Sequence, residues 1–266
     1  MDELELLRAD LAQTDEILLN TLLMRNRIVE QIMNYKEGND IDILQPEQEA
    51  RQRKWLADSL EGKPHAEEVK AVFRSVLKNS KKIQARKLFD YNIVLIGFMG
   101  AGKSTISTQL SDAFAMKVVE MDQIIAEREG MTISEIFEVY GEEYFRDAET
   151  NLLIEMQSRT NTVISCGGGV PLRERNVAEM KKNGKVVLLT ARPETILERL
   201  KDDHSRPLLE NNKNVGFVQE LMEKRREKYE AAADIIIETD GKTETEICEE
   251  VIRRLREEAA VYGSKN

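Results

Sequence analysis

The sequence predicts a multidomain chain, an all-α domain followed by an α/β domain with a five-stranded parallel sheet. In the first third of the chain, long stretches without glycine or proline carry apolar residues at helical spacing. After residue 88, short apolar runs alternate with helical stretches. That alternation is typical of a parallel sheet with helices on both faces. The predicted domains are residues 1–88 and 89–266.

The chain has 266 residues, 41% of them hydrophobic, which is enough to bury two cores. Its net charge is −10, and nearly all of the acidic excess lies after residue 88. Because the sequence has no basic stripe, its composition argues against nucleic-acid binding and favours a small-molecule substrate. No apolar run approaches a membrane span and the first residues are acidic, so we expect no membrane association and a cytoplasmic protein. Cys166 and Cys248 lie far apart, which indicates neither a disulfide framework nor a zinc site.

Three helices are predicted in the first third, at residues 3–36, 46–60 and 66 to about 88. The first would have roughly 34 residues and a length of about 50 Å. Such a helix is too long for a compact monomer of this size. We therefore expect a bundle built from two chains, that is, a homodimer formed through the N-terminal domain.

Cationic and polar side chains interrupt the apolar faces of these helices. Arg25 and Lys36 fall within the apolar stripe of the first helix, and Arg8 lies at its margin. On the third helix, Ser80 and Gln84 continue an apolar i, i+4 row. Each alone could reach the surface or pair with an acid, but together they suggest an internal pocket for an anion with more than one carboxylate. The stripe consists of Leu4, Leu11, Leu18, Leu22, Val29 and Ile32.

With this pattern, residues 1–88 resemble the all-helical chorismate mutase family, whose members are intertwined dimers of three-helix chains. The resemblance implies that chorismate rearranges to prephenate in a pocket where arginines hold two carboxylates. Lys36 and Gln84 would stabilise negative charge on the breaking ether oxygen, and the partner subunit would supply Arg8. The positions that coincide with the family's active site are Arg8, Arg25, Lys36, Glu49, Ser80 and Gln84.

Two positions of this candidate chorismate site depart from the family. Gln48 stands where the family usually has arginine, and Gln45 stands where many members have an acid. The missing cation would matter greatly if it touched the substrate, and little if it only oriented Glu49. A second interpretation therefore stays open, in which the domain is a non-catalytic module that dimerises the chain or senses an effector.

Residues 97–104 carry a full G-x-x-x-x-G-K-[ST] pattern between an apolar run and a helix start. The glycines let backbone NH groups surround a phosphate at the positive end of the helix. Lys103 would reach the β and γ phosphates, and the Ser104 hydroxyl would be a ligand of Mg²⁺. The alternative is a glycine-rich turn that binds nothing. The predicted ATP-binding residues here are Gly97, Gly100, Ala101, Gly102, Lys103, Ser104 and Thr105.

The carboxyl ends of the predicted strands are where a ligand of such a sheet binds. The second strand is expected to end at residues 120–122 and the third at the glycines 167–169, and residues 144–146 are expected to precede a helix. The predicted strands are residues 92–96, 117–121, 162–166, 185–190 and 233–238, and the predicted helices are 104–114, 132–140, 147–159, 173–183, 193–202, 216–229 and 244–260.

Over residues 91 to about 258 the chain closely resembles the shikimate kinase family. Besides the loop, the matching residues are Asp122, the pair at 136–137, Phe145 and Arg146 with Glu149, the three glycines, the segment at 206–209, and the pair at 224–225 followed by Tyr229. The resemblance implies ATP-dependent phosphorylation of shikimate. The shikimate-binding residues would be Asp122, Phe137, Phe145, Arg146, Gly167, Gly168, Gly169 and Arg225.

The same resemblance implies individual roles. Asp122 would accept the proton of the attacking hydroxyl, while Arg146 and Arg225 grip the substrate carboxylate. Arg206 would lie on a lid over ATP and act with Lys103 and Asp122 in catalysis, and Arg199 would lie near the adenine. The implied cofactors are ATP and Mg²⁺. Glu120, which is an aspartate in most of the family, would contact the metal through water, whereas the Ser104 hydroxyl would be a ligand of the metal itself.

The leading interpretation is thus a fusion of two enzymes of aromatic amino-acid biosynthesis, with shikimate, ATP and chorismate as small-molecule partners. A different small-metabolite kinase on the same fold, such as one acting on a sugar acid, is the enzymatic alternative. Paired arginines at 146 and 225 with two phenylalanine walls favour a cyclic carboxylate.

Overall fold

The computed structural model describes residues 2–39, 41–201 and 214–263, with side chains described as far as residue 259. The chain divides into two compact units, Met1–Lys87 and Leu88–Asn266. The first contains only helices within its described part, and the second is built on a parallel sheet. Both predicted fold classes are confirmed.

The first unit consists of helices α1 (Glu3–Gly38), α2 (Pro46–Leu60) and α3 (Ala66–Leu88). The start of α1 has a capping box, in which Asp2 accepts a hydrogen bond from the helix backbone and Glu5 accepts one from the backbone of Asp2. Proline in the first turn of α2 needs no hydrogen-bond partner for its nitrogen. The three predicted helices are therefore found where the sequence placed them.

The apolar stripe of α1 is buried only in its second half. All residues from 2 to 21 are exposed, and Leu11 retains 61% of its accessible surface. Further along, Leu22 is half-buried and Val29 is buried, but Ile32 is exposed. Within one chain, α1 thus extends well beyond the part where its stripe is buried, and the expectation that the whole stripe faces the core of a two-chain bundle stays a prediction.

The second unit contains a five-stranded parallel sheet in the order β2-β3-β1-β4-β5. The central strand β1 is buried along its whole length, as its run of branched apolar residues predicts. Only three residues separate α3 from β1, in agreement with the predicted end of the third helix at about 88 and the predicted strand start at 92. The strands are β1 (Asn92–Gly97), β2 (Lys117–Glu120), β3 (Thr162–Ser165), β4 (Gly184–Thr190) and β5 (Ile235–Glu238).

Helices of the second unit differ from the prediction at two places. A nine-residue helix, Met121–Glu129, follows β2 directly where no helix was predicted. The segment 144–146 lies inside a helix that begins at Glu142, because Gly141 with φ of 86° ends one helix and allows the next to start. The described helices are α4 (Lys103–Phe114), α5 (Met121–Glu129), α6 (Ile133–Tyr140), α7 (Glu142–Met156), α8 (Glu174–Lys182), α9 (Pro193–Arg199), α10 (Val215–Ala232) and α11 (Glu244–Gly263), with a 3₁₀ turn at Val170–Leu172.

Among the described residues, no helix combines the length and the apolar character that crossing a membrane requires.

Candidate active sites

The glycine-rich segment forms a loop between β1 and α4. Gly102 adopts φ of 100° immediately before the first residue of α4, a conformation that favours glycine. Lys103 folds back over the loop, and its Nζ donates hydrogen bonds to the carbonyl oxygens of Gly97 (2.9 Å) and Phe98 (3.1 Å). The loop therefore presents the start of a helix and an ammonium group to one space.

Glu120, the last residue of β2, lies beside this loop. Its carboxylate accepts hydrogen bonds from the hydroxyls of Ser104 (3.1 Å) and Ser107 (2.6 Å). The carboxylate and the Ser104 hydroxyl are thus held together at the edge of the loop. Both predicted metal-contacting residues meet here.

A cavity of about 590 Å³ joins the loop to the ends of β2 and β3. Asp122, in the first turn of α5, lines the cavity together with Gly167 and Gly168. Arg199 lines it from the other side, and its Nη1 donates hydrogen bonds to the Gly100 carbonyl and the Thr239 hydroxyl, both at 3.1 Å. The predicted phosphate loop, Asp122 and Arg199 therefore surround one cavity.

The glycines at 167–169 touch side chains from several elements. A Cβ on Gly167 would collide with Asp122 and would lie 2.9 Å from Glu149 Oε1. A Cβ on Gly169 would collide with Arg146, whereas one on Gly168 would lie 3.7 Å from Arg225 Nη1. Because glycine has no side chain, two carboxylates (Asp122 and Glu149) and both arginines can approach the single turn that follows β3.

Arg146 is held by two carboxylates of its own helix. Its Nη1 donates to Glu149 at 3.0 Å and its Nη2 donates to Glu142 at 2.7 Å. Its guanidinium also lies over the Phe145 ring, 5.6 Å from the ring centre. The ring of Phe145 in turn meets Phe137 edge-on at 5.1 Å, so the predicted walls and one arginine form one cluster.

Glu149 is a fully buried carboxylate between Arg146 and Asp122. Burial raises its pKa to about 7, because loss of solvent outweighs the opposing effect of Arg146, and the charge of Asp122 raises the pKa further. The group therefore changes protonation near neutral pH.

On α10, Arg225 lies over the Phe98 ring at 5.9 Å. Four residues later Tyr229 is buried, and its hydroxyl donates a 2.6 Å hydrogen bond to the carbonyl of Gly168. This bond fixes the glycine turn against α10. The predicted Arg206, by contrast, lies outside the described residues.

Glu149 and Tyr229 take part in this arrangement, although the family resemblance included them only as matching residues and assigned neither a role in the site. Each follows a predicted arginine by one helical turn, Glu149 three residues after Arg146 and Tyr229 four residues after Arg225. That spacing brings side chains together on a helix. For Tyr229 this signal was available, because Arg225 and Tyr229 lie on one predicted helix. For Glu149 it was not, because residues 144–146 were predicted to precede the helix that contains them.

In the first unit, the predicted chorismate-site residues are brought together only in part. Arg25 on α1 donates a hydrogen bond to the Ser80 hydroxyl on α3, and burial lowers the pKa of Arg25. Lys36 is buried, and its Nζ donates to the Ile43 carbonyl at 2.7 Å. Glu49 contacts Lys81 across helices at 3.0 Å. Of the others, Gln84 is half-buried and Arg8 and Gln48 are exposed.

A phosphate-binding loop at the carboxyl edge of a parallel sheet defines the class of the second unit as a P-loop nucleotide-binding enzyme. The family comparison is more specific. Residues 99–256 match the family model described as shikimate kinase, and residues 7–85 match the model described as chorismate mutase type II. The chain belongs to the shikimate kinase family, and it is a fusion in which a chorismate mutase domain precedes the kinase domain.

Individual relatives agree with this assignment. The shikimate kinase of Persephonella marina is 42% identical over 165 residues, which are 62% of this chain and 99% of that protein. The shikimate kinase of Dehalococcoides mccartyi is 44% identical over 62% of this chain and 93% of its own length. Among solved structures, the shikimate kinase of Acinetobacter baumannii in complex with shikimate is 33% identical, with a TM-score of 0.58 over 61% of this chain and 91% of that one. The structure of the shikimate kinase from Aquifex aeolicus is 37% identical. Its TM-score is 0.55, and the match covers 63% of this chain and 98% of that one.

Proposed function

We infer that the second unit transfers the γ-phosphoryl group of ATP to shikimate, giving shikimate 3-phosphate, and that the first unit rearranges chorismate to prephenate. The observation that carries the kinase proposal is the single turn after β3. Gly167 and Gly168 of this turn line the cavity of the phosphate loop together with Asp122. Arg225 and Arg146 lie against Gly168 and Gly169 of the same turn. One end of this space suits phosphates, and the other suits an anionic acceptor.

In the proposed reaction, a hydroxyl oxygen of shikimate attacks the γ-phosphorus of ATP. The bond between that phosphorus and the bridging β–γ oxygen breaks, and ADP leaves. Asp122 is placed to take the hydroxyl proton, while Lys103 and the loop amides stabilise charge on the phosphates. These groups act mainly by position and charge, which is what phosphoryl transfer asks of a protein.

The acceptor would be held through its carboxylate. Arg146 and Arg225 approach the same turn from α7 and α10, and guanidinium groups bind carboxylates with two parallel hydrogen bonds. Phe137 and Phe145 supply an apolar wall for a ring. A cyclic carboxylate therefore fits this end of the space better than an open-chain sugar acid.

At the nucleotide end, the loop residues 97–105 would hold the phosphates of ATP and Arg199 would lie near the adenine. Ser104 and Glu120 fit a magnesium ion, since this ion prefers oxygen ligands and usually takes few from the protein, with phosphates and water supplying the others. When bound with ATP, the ion would neutralise part of the phosphate charge. The catalytic role of Arg206 over ATP stays a prediction from the family resemblance.

In the first unit, Arg25 and Lys36 would bind the carboxylates and the ether oxygen of chorismate, with Glu49, Ser80 and Gln84 as polar partners. The match of residues 7–85 to the mutase model favours this activity over a non-catalytic role for the domain. The contact of Arg25 with Ser80 supports a shared pocket between α1 and α3.

The first unit would act as a homodimer. Arg8 and Arg25 lie on one continuous helix and are separated by about 26 Å along its axis. Arg8 therefore has no route into the pocket of its own chain, and a second chain would have to supply it. The exposed apolar stripe of α1 offers the surface for such a pairing. A cytoplasmic location remains a prediction from the sequence.

Two assays on the full-length protein test the proposal. Production of ADP should depend on shikimate and on magnesium, and chorismate absorbance should fall without ATP. A sugar acid that supported faster ADP production than shikimate would contradict the assigned acceptor. Failure to consume chorismate would contradict the mutase assignment alone.

A further inference from the structure

An ion pair joins α2 to α3 at the candidate chorismate site. The Nζ of Lys81 lies 3.0 Å from the Oε2 of Glu49. Both side chains are partly shielded from water, with 28% and 40% of their surface exposed. Lys81 is not among the residues that the family resemblance assigns to the site.

The position of Lys81 connects it to the other polar groups of the pocket. It follows Ser80, whose hydroxyl accepts a hydrogen bond from Arg25 on α1. A continuous set of contacts therefore runs from α1 through two adjacent residues of α3 to Glu49 on α2. Lys81 thus lies beside the pocket.

Two neighbouring positions bear on the charge around Glu49. Gln48 is neutral and exposed, although the family that the sequence resembles usually has arginine at this position. Arg53 also approaches Glu49, but at 3.5 Å and with 66% of its side chain exposed, so it is screened by water. Lys81 is the closer and more shielded of these two cations.

We propose that Lys81 is a positioning residue of the mutase site, which orients Glu49 and supplies from α3 the positive charge that Gln48 does not supply from α2. The inference rests on the proposed mutase function. An ammonium group at 3.0 Å fixes the direction of the carboxylate through a charge-assisted hydrogen bond. It also adds favourable potential for a substrate with two carboxylates.

The test compares three variants of the full-length protein. Lys81→Met should lower kcat/KM for chorismate by about tenfold or more. Lys82→Met removes a neighbouring exposed lysine of the same helix, and it should change kcat/KM for chorismate by less than about twofold. Adding Gln48→Arg to Lys81→Met should restore most of the loss, which a merely structural role for Lys81 would not produce. Circular dichroism checks that each variant keeps its helices.

The outcomes separate this proposal from the mutase assignment. A loss specific to Lys81→Met with rescue by arginine at position 48 supports it. An active Lys81→Met protein that resembles Lys82→Met overturns it and leaves the mutase function intact. If the unaltered protein does not consume chorismate, the mutase assignment fails, and the role proposed for Lys81 is overturned with it.

Discussion

The two units build their candidate sites in different ways. In the kinase unit, parallel strands end at one edge, and the phosphate loop, Asp122 and both arginines meet around that edge within one chain. In the mutase unit, candidate residues are spread along helices, and the first half of α1 is exposed on every side. A sheet thus gathers residues that are distant in sequence, whereas a single long helix separates them by 1.5 Å per residue.

If the proposed dimer forms, we expect the kinase site to be built from a single chain and the mutase site to need a residue from a second. Substitutions in the kinase unit should therefore act through local geometry. Substitutions on α1 should act through assembly and should leave phosphoryl transfer unaffected. The following predictions test this difference.

Asp122→Asn should have the largest effect on the kinase. The amide keeps the size of the side chain but cannot accept the hydroxyl proton, so kcat should fall by roughly a thousandfold. ATP affinity should change little, and the rate of chorismate consumption by the same protein provides the internal control. Turnover within about tenfold of the unaltered protein would exclude Asp122 as the proton acceptor.

Assembly should respond most strongly to charge on the apolar stripe. Leu11→Glu combined with Leu18→Glu places two acids on a face that is apolar and exposed, and we expect a monomer whose mutase activity falls about a hundredfold, since Arg8 no longer reaches a second chain. Gln13→Glu with Asn20→Glu adds the same charge at the same spacing on the opposite face of the helix and should remain dimeric. Sedimentation and the two activity assays measure the result.

Loss of kinase activity in the stripe variant would contradict the separation of the two sites. So would a monomer that retains full mutase activity, because the pocket would then be complete without Arg8 from a second chain.

Sequence patterns predicted the elements of both units better than the details of their sites. The strands and the three N-terminal helices follow from apolar periodicity and from breaks such as the one at Gly38, which are local features. The role of Glu149 depends instead on burial and on the approach of Asp122 beside Gly167, which no local pattern encodes. The helix Met121–Glu129 was missed because it is short and follows its strand without a turn.

Gly169→Ala should produce an intermediate effect that is confined to the acceptor end. The new Cβ would lie 2.7 Å from Nη2 of Arg146 and would displace the guanidinium. We expect KM for shikimate to rise about tenfold while KM for ATP stays unchanged. Gly216→Ala is the matched control, since among the described residues its Cβ would meet only Asn214 Oδ1, at an ordinary 3.5 Å. An equal rise in both Michaelis constants would show that the turn does not position Arg146 for the acceptor.

The smallest effect concerns pH and the buried carboxylate of Glu149. Its pKa is raised from 4.5 to about 7, mainly by burial. An acid with a raised pKa in the folded protein contributes most to stability below its unfolded pKa, and this contribution is lost as pH rises through the folded pKa. The shift corresponds to about 3 kcal/mol between acid and neutral pH.

Glu149→Gln removes this titration, so the Tm of the unaltered protein relative to the variant should fall by a few degrees between pH 5 and pH 8. Loss of the ion pair with Arg146 lowers the stability of the variant, but Arg146 stays charged over this range, and the slope with pH therefore reports Glu149 itself. Glu138→Gln, at an exposed position on α6, should show no such slope. A pH-independent difference for Glu149→Gln would mean that the carboxylate is ionised throughout, and that the kinase site holds a permanent negative charge behind Arg146.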